Sequence, residues 1–352
     1  MEAARLPAVR AAPAARLRDY VSRYGLIVVL LAMPVYYGVH DIATDSSITR
    51  LGDNLVAGIS NGSIWALVAI GYTLVYGIVE LINFAHGEVF MIGSFSAFAF
   101  FDLIGLTTGT ATLGLIVGLL ATLLVSMLAS GALNTMIERV GYRPLRSAPK
   151  LAPLITAVGF SFILQNVGLL WLGGSQRSIS DLINAQHSLF HISGVSVANG
   201  DVLAVAVTIP LLVLMTGFIA QSRLGKAMRA TAQEPEAARL MGINVDTTIS
   251  LTFLLGGMLA GAAGLIYALY QTTIWYFQGF TGGLVAFTAA VMGGIGNIRG
   301  AVLGGFIIGF IQQMSDNRIG AEWTPAIVFV YLILIMVFKP SGLLGEQTRE
   351  AG

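Results

Sequence analysis

Residues 61–95 read NGSIWALVAIGYTLVYGIVELINFAHGEVFMIGSF, and this stretch decides the fold class. It contains the end of one apolar run, 55–79, and the start of another, 86–105. A helix needs about 20 mostly apolar residues to cross the hydrocarbon core of a bilayer, and both runs are of that order. The stretch therefore predicts two membrane-spanning helices with a break at 80–87.

The composition of the whole chain agrees with this prediction. Of its 352 residues, 56% are hydrophobic and 11% are charged, with a mean hydropathy of +0.80. Soluble domains carry about 25% charged residues. The chain is therefore predicted to be an integral membrane protein. It has no cysteine, which excludes disulfides and cysteine-ligated metals, and its net charge of +1 gives no indication of nucleic-acid binding.

Lysine and arginine orient the predicted spans. They concentrate in the amino-terminal segment 1–25, in the segments 138–150 and 223–239, and in the carboxy-terminal region. Because such residues stay in the cytoplasm, both termini are predicted to be cytoplasmic, with residues 1–25 and 346–352 flanking a transmembrane domain over 26–345. The predicted apolar runs are 26–40, 55–79, 86–105, 111–137, 151–172, 201–220, 248–270, 283–297, 300–314 and 323–338.

Two of these runs, 283–297 and 300–314, are too short for a full crossing, so they are predicted to be half-helices or a tight helical hairpin. Runs 2–5 and 7–10 have the same number of elements but start from opposite sides, which suggests an inverted-topology repeat. The fold class is thus an all-α polytopic bundle of about 8–10 spans with short or broken helices. The patterns Gly257-xxx-Gly261 and Gly305-xxx-Gly309 predict close helix packing.

Several kinds of chemistry find no support in the residues. The pair Gly225-Lys226 is followed by alanine, so no P-loop is present and no ATPase site is expected in this chain. His86 and Glu88 are two residues apart and point away from each other on a helix, which makes a metal site there a weak hypothesis. Neither a metal nor a cofactor is expected.

The polar segment 222–245 contains two predicted short helices, with Pro235 in the first turn of the second and Gly242 at its end. An ordinary cytoplasmic loop would suffice to explain it. However, the second helix reads Glu236-Ala237-Ala238, three residues, then Gly242. This pattern resembles the cytoplasmic signature of ABC-importer permeases, whose short helices dock in a groove of a separate ATPase subunit. The resemblance implies that the segment couples to an ATPase through Arg229, Glu236, Ala237, Ala238 and Gly242.

A closer resemblance extends over residues 51–345. The stretch 61–95, the loop ERVGYRPLR at 138–146, the segment 222–245 and AFTAAVMGGIGNIRGAVLGG at 286–305 are similar to the membrane permeases of high-affinity branched-chain amino acid ABC importers. The resemblance implies a prokaryotic plasma-membrane subunit that forms half of a translocation pathway for leucine, isoleucine and valine.

The same resemblance implies the partners: a second related permease, two cytoplasmic ATPase subunits through which ATP acts, and an extracytoplasmic substrate-binding protein. Membrane lipid surrounds the subunit and no nucleic acid is expected. Three alternatives stay open at this point. They are a related importer for urea, amides or other amino acids, a secondary transporter or channel, and a membrane-embedded enzyme.

Polar residues at the helix breaks are candidates for the pathway or its gates. Asn83 is expected to cap the helix that follows it, and the segment around it to form an inner gate or pathway lining. The run 271–283 is expected to be its counterpart on the outer side. In the alternative, Asn83 is only a cap, and His86 and Glu88 lie at the membrane interface. The full set of pathway candidates is Asn83, His86, Glu88, Gln271, Thr281, Gly282, Gly283 and Thr288.

Overall fold

The computed structural model describes residues 13–45 and 47–345, and almost all of its regular structure is helical. The helices are α1 Pro13–Asp45, α2 Thr49–Val79, α3 His86–Ile104, α4 Thr112–Ile137, α5 Leu151–Leu172, α6 Asn199–Gln221, α7 Arg223–Gln233, α8 Pro235–Leu240, α9 Val245–Gln271, α10 Gln278–Gly293, α11 Ile298–Arg318 and α12 Thr324–Phe338. The strands are β1 Arg177–Ser178, β2 Ser188–Ile192, β3 Val195–Ala198 and β4 Thr273–Ile274.

Ten α-helices in the described part of the chain correspond to the ten predicted runs, and α7 and α8 are additional. A π-helix, Glu138–Tyr142, and a 3-10 helix, Arg143–Leu145, continue the chain directly after α4. Seven of the ten are long and apolar enough to cross a membrane. The all-α polytopic bundle is therefore confirmed. The first helix begins at Pro13, inside the segment 1–25 that was expected to precede the first span. What was predicted for residues 1–12 and 346–352 lies outside the described residues.

The short runs 283–297 and 300–314 form a tight helical hairpin, one of the two arrangements predicted for them. The helices α10 and α11 are joined by only four residues, which include Gly294 and Gly296 at positive φ angles of 109° and 91°. A Cβ on Gly293 would overlap the carbonyl of Gly300 across the hairpin, so only glycine permits this approach. The helices begin at Gln278 and Ile298, which shifts the predicted boundaries by a few residues.

Contacts between helices repeat in the two halves of the bundle, α2–α5 and α9–α12. Helix α2 packs against α11, and its equivalent α9 packs against α4. Helix α3 contacts α4, α5 and α9, and its equivalent α10 contacts α11, α12 and α2. An internal two-fold repeat produces this exchange of equivalent partners. The equivalent helices belong to the runs that the sequence analysis paired, runs 2–5 and runs 7–10.

Small residues occupy both equivalent interfaces. Gly305 and Gly309 of α11 lie against the backbone of α2, and Gly257 and Gly261 of α9 lie against α4. In the second interface, the hydroxyl of Ser126 donates to the carbonyl of Gly261 at 2.7 Å. Such residues let backbones approach and let hydroxyls bond across the gap. The two predicted small-xxx-small patterns are therefore confirmed as packing sites.

Short β-structure accompanies the loop between α5 and α6. Strand β1 pairs with β4, which follows α9, while β2 and β3 form an antiparallel hairpin. The amide of Ser196 in β3 donates to the Asp53 carboxylate of α2 at 2.9 Å. These contacts fasten the loop to the ends of α2 and α9 and so help to position the start of α10.

Candidate functional site

The break after α2 is a sharp turn with its own hydrogen bonds. Helix α2 ends at Val79, and Glu80 adopts a left-handed conformation with φ of 54°. Asn83 then accepts from the amide of Ala85 through its side-chain oxygen at 3.1 Å, and its side-chain amide donates to Asn134 of α4 at 3.0 Å. The turn is thereby ordered from within and fastened to a neighbouring helix.

The expectation that Asn83 caps α3 is corrected by this geometry. The residue in the N-cap position is Ala85, and no side chain makes the N-cap hydrogen bond there. The side-chain oxygen of Asn83 accepts from the amide of Ala85 itself, and only its main-chain oxygen accepts from His86, at 3.0 Å. Asn83 is two residues too far from the helix to act as its cap, and it stabilises the preceding turn instead.

His86 and Glu88 in the first turn of α3 are both fully buried. The ring of His86 packs edge-on against Tyr72, with ring centroids 4.7 Å apart. Glu88 accepts a hydrogen bond from Ser161 of α5 at 3.1 Å. Both side chains therefore lie among the packed helices α2, α5 and α10 and do not face the surface of the protein.

The first turns of α3 and α10 cross in direct contact. A Cβ on Gly87 would overlap the carbonyl oxygen of Gly279 and would lie 2.7 Å from the Cα of Gly283. The segment at 83–88 and residues 279–283 were expected to be gates on opposite sides. They are instead two faces of one crossing. The start of α10 reaches the middle of the bundle because the chain turns back after α9.

The remaining pathway candidates on α10 differ in their surroundings. Gly282 lies against the rings of Trp65 and Phe90, where a Cβ would be 3.0 Å from Trp65. The hydroxyl of Thr281 is within 3.3 Å of the carbonyl of Phe277 in its own helix. Thr288 is fully buried, and its hydroxyl has no hydrogen-bond partner among the described residues. Gly282 and Gly283 thus belong to the crossing, while Thr288 lies two turns further along α10.

A small cavity of about 80 Å³ opens beside the crossing, between α5 and α10. Gln271 lies apart from this cavity and lines a separate polar cavity of about 440 Å³, together with Asn61, Asp201 and Asp316. The residues that line the smaller cavity are mostly aromatic or aliphatic: Tyr72, Phe84, Val158, Ser161, Phe162, Gln165, Gly279, Phe280, Gly283, Leu284 and Phe287.

Sequence reasoning missed Ser161, Tyr72 and the aromatic residues of this cavity. Ser161 is a single serine inside the apolar run 151–172, and nothing local distinguishes it from a helix-packing serine. Its role is visible only once α5 lies beside Glu88, which is 73 residues away along the chain. The glycines at 279, 282 and 283 were the one available signal, since they indicate a close approach to α10.

The segment 222–245 forms two helices as predicted. Ser222 caps α7 by accepting from the amide of Gly225 at 2.9 Å, and Pro235 begins α8. At the end of α8, the amide of Gly242 donates to Arg239 and the amide of Ile243 donates to Ala238, both at 3.0 Å. Gly242 has a positive φ of 82°. This pair of bonds is a Schellman motif, so glycine is needed at position 242 for the reason predicted.

The predicted coupling residues play different parts in this segment. Glu236 is exposed and forms an ion pair with Arg239 at 2.9 Å, and Ala237 is exposed beside it. Ala238 is buried against the bundle. The guanidinium of Arg229 donates to the carbonyl oxygens of Ile219 and Ala220 at the end of α6. Arg229 therefore holds α7 to α6.

Two apolar side chains that sequence reasoning did not single out extend from the end of α8 into solvent. Leu240 is 89% exposed and Met241 is 82% exposed. Exposed large apolar residues on a polar loop are a feature of interaction surfaces. Leu240, Met241 and Glu236 together are called the α8 surface below.

An ionic network with one buried member, Glu138, joins the loop after α4 to the start of α9. The carboxylate of Glu138 is fully buried, accepts from Ser250 at 2.6 Å and pairs with Arg146. Arg146 also pairs with Asp246 in the first turn of α9, and Arg143 pairs with Asp246 at 2.8 Å. The loop ERVGYRPLR is thus ionically bound to the first turn of α9, the helix that follows the segment 222–245.

The similarity to known proteins extends over most of the chain. Residues 54–337 match the family described as branched-chain amino acid transport system, permease component. The permease protein BraD of the high-affinity branched-chain amino acid transport system of Pseudomonas aeruginosa is 41% identical over 298 residues, covering 84% of this chain and 96% of that protein. The corresponding protein LivH of Escherichia coli K12 is 40% identical over 298 residues, covering 83% and 95%.

Among solved structures, PsaBC from Streptococcus pneumoniae in complex with Fab aligns over 86% of this chain and 95% of that chain. The identity is 13% and the TM-score is 0.42, a likeness too weak to show a common fold.

Proposed function

The chain belongs to the family of branched-chain amino acid transport permeases, and we propose that it is half of the translocation pathway of an ABC importer for leucine, isoleucine and valine. The observation that carries this proposal is the 41% identity to a high-affinity branched-chain amino acid permease along nearly its whole length. The protein is an integral membrane permease subunit, which in general works with ATPase and substrate-binding components.

The specific assembly is part of the proposal. It consists of this chain, a second related permease, two cytoplasmic ATPase subunits and an extracytoplasmic binding protein. ATP acts through the ATPase subunits, and this chain carries neither an ATPase site nor a cofactor or metal of its own. The positively charged segments 138–150 and 223–239 support a cytoplasmic position for the coupling segment and for both termini.

The α8 surface is the proposed contact with the ATPase. Leu240 and Met241 supply an apolar contact, and the exposed carboxylate of Glu236 supplies a charged one. Closure of the ATPase pair on ATP would move this surface as a rigid unit, because Gly242 and the Asn244 cap connect α8 directly to α9. The network of Glu138, Arg146 and Asp246 supports transmission of the same movement to α4.

Reconstitution of the complete importer tests the proposal. With ATP and liganded binding protein in proteoliposomes, we expect uptake of leucine, isoleucine and valine and none of urea. Uptake of urea in place of the amino acids would reject the proposed substrate class. Net accumulation of substrate by this chain without any ATPase would reject the ABC assignment altogether.

The coupling assignment is tested by the double substitution Leu240→Ser and Met241→Ser. We expect leucine uptake to fall at least ten-fold and copurification of the ATPase to weaken, with the chain still folded in the membrane. The matched control is Leu189→Ser, a leucine that is 52% exposed in the β2–β3 hairpin at the other end of α6. Equal loss of uptake in both proteins would remove the α8 surface from the mechanism.

A further inference from the structure

A groove of about 630 Å³ lies between α4 and α9, at the end of the bundle where α8 leads into α9. The two helices are antiparallel. Ser126 within α4 donates to Gly261 within α9, whereas Glu138, just after α4, accepts from Ser250 near the start of α9. The groove is therefore formed by the end of α4, the turn that follows it and the start of α9. It is called the α4–α9 groove below.

The wall formed by α4 changes from apolar to basic toward the end of the helix. Ala132 and Met136 come first along the chain, and Arg139 and Arg143 follow. Met136 is 51% exposed and Val140 is 61% exposed, so this wall faces outward from the bundle. Helix α4 has 26 residues, more than the about 20 that cross a hydrocarbon core. The arginines therefore lie at the level of the membrane surface, and the apolar part lies in the hydrocarbon.

The wall formed by α9 shows the same gradient in the reverse chain order. The groove is lined there by Asn244, Asp246 and Thr247 at the start of the helix, and by Leu251 and Leu254 further along it. Because the two helices are antiparallel, the polar residues of both walls lie together, and so do the apolar residues. The groove thus has one polar end and one apolar end, which is also the division within a phospholipid.

The polar end of the groove carries an uncompensated positive charge. Two arginines line it, Arg139 and Arg143, against the single carboxylate of Asp246. That carboxylate is already paired with Arg143 and with Arg146. Arg139 is exposed, and its guanidinium forms neither an ion pair nor a hydrogen bond within residues 13–45 and 47–345. Its five N–H donors are therefore available to a ligand.

The combination of charge and hydropathy selects the ligand. A soluble anion would leave the apolar end of the groove without a partner. A zwitterionic lipid would bring its own ammonium group beside Arg139. A guanidinium binds phosphate through two parallel hydrogen bonds, and basic pockets between helices at the cytoplasmic membrane surface suit anionic lipid headgroups. The matching ligand carries a phosphate without a neighbouring cation, attached to hydrocarbon chains.

We propose that the α4–α9 groove binds an anionic phospholipid of the cytoplasmic leaflet, with its phosphate on Arg139 and an acyl chain along Met136 and Leu251. This inference goes beyond the proposed function and rests on it only for the cytoplasmic orientation of this end. The bound lipid contacts both α4 and α9 and so holds the two helices against each other.

The test uses the full chain in phosphatidylcholine nanodiscs with a fluorophore beside the groove. The chain contains no cysteine, so Leu128→Cys supplies a single attachment point. Leu128 is 51% exposed and lies one turn before Ala132 on the same face of α4. Lipid brominated on its acyl chains quenches a fluorophore that it contacts. We expect brominated phosphatidylglycerol to reach half-maximal quenching at a mole fraction roughly five-fold lower than brominated phosphatidylcholine, the preference that one basic residue at a membrane surface provides.

Two charge variants in the labelled chain separate the groove from the general surface charge. Arg139→Gln should abolish the preference for phosphatidylglycerol and leave quenching by phosphatidylcholine unchanged. The matched control is Arg223→Gln, which removes an exposed arginine at the same end of the bundle but outside the groove and should keep the preference. Neither arginine has an ion pair within the described ranges, so both variants should fold as the labelled parent does.

A second label position tests whether the preference is local. Val213→Cys places the fluorophore at a position of α6 that is 65% exposed and lies at a similar distance from the same end of the bundle. We expect no preference between the two lipids there. Glycerol phosphate in solution should not reduce quenching at position 128, because it has the phosphate but no acyl chain.

Four results would overturn the inference. They are equal quenching by the two lipids at position 128, the same preference at position 213, equal effects of Arg139→Gln and Arg223→Gln, and displacement of the lipid by glycerol phosphate. Disulfide cross-linking of two chains through Met136→Cys would also overturn it, by assigning the groove to a second copy. These measurements involve neither leucine nor ATP, so failure of leucine uptake would count against the proposed function alone.

Discussion

The starts of α3 and α10 are equivalent in the internal repeat, yet they differ in chemistry. Each follows a long helix and a turn, and the two cross in contact. The start of α3 carries buried titratable side chains at His86 and Glu88, whereas the start of α10 carries Gly279, Gly282 and Gly283. The bare backbone of one helix is what allows the polar side chains of the other to fit. A symmetric scaffold thus supports an asymmetric site.

The equivalent helix interfaces α4–α9 and α2–α11 also share a scaffold and differ in their polar groups. In the α4–α9 interface, Ser126 and Asn134 of α4 bond to backbone carbonyls of α9. In the α2–α11 interface, the cross-helix bonds join side chains, with the indole of Trp65 donating to Gln312 at 2.6 Å. Glycine makes the close approach in both interfaces, and different polar groups complete them.

The largest effect is expected where the two helix starts touch. Gly87→Val places three carbon atoms against the backbone of Gly279 and Gly283, so we expect destabilisation of about 3 kcal/mol or more and loss of leucine uptake. Unfolding in a denaturing detergent measures the first effect, and proteoliposome uptake the second. Gly159→Val in α5 is the control because no atom lies within 4 Å of a Cβ there. Equal stability of both variants would contradict the crossing.

A smaller effect is expected from alanine at the two equivalent glycine interfaces. Gly309→Ala meets the backbone of Gly62, while Gly257→Ala meets the Cβ of Asn134 at 2.6 Å. We expect both to destabilise by about 1–3 kcal/mol, as overpacking does. Similar values, measured by the same unfolding titration, would support equivalence of the interfaces. A neutral result at one glycine only would show that the repeat is not preserved in its packing.

Substitution of the polar groups should destabilise the two interfaces less than substitution of their glycines. Asn134→Leu removes bonds to Asn83 and to the carbonyl of Phe253, whereas Gln312→Leu removes the acceptor of Trp65. We expect a loss of about 1–2 kcal/mol for the first variant and about 0.6 kcal/mol for the second, the average of interhelical bonds in membranes. A larger loss for Gln312→Leu in unfolding measurements would reverse the proposed order.

The smallest change in stability is expected at Thr288. Its hydroxyl is buried without a partner in the described part of the chain, so Thr288→Val should alter the free energy of unfolding by less than about 0.5 kcal/mol. The sequence-based prediction that Thr288 lines the pathway requires that this variant nevertheless lower the rate of leucine uptake. Wild-type uptake in this variant would remove Thr288 from the pathway and leave the α3–α10 crossing as the site of interest.

Residues near one another in the sequence were predicted well. The break at 80–87, the start of α3 at His86, Pro235 at the start of α8 and Gly242 at its end all follow from local rules of hydropathy, helix initiation and left-handed backbone. The role of Asn83 as a cap was predicted wrongly. A capping side chain lies directly before the first helical turn, whereas Asn83 lies two residues earlier and accepts from the amide of Ala85 in the preceding turn.

The sequence by itself determined that this protein is a helical membrane bundle, because the bilayer imposes length and hydropathy on every span separately. It also indicated the repeat, since span number and charge bias are properties of the chain order. Only the tertiary structure decided that the starts of α3 and α10 meet, that Glu88 faces Ser161, and that a cavity lies beside them. These contacts join residues 73 to almost 200 positions apart, and no local pattern specifies which faces of two apolar helices will cross.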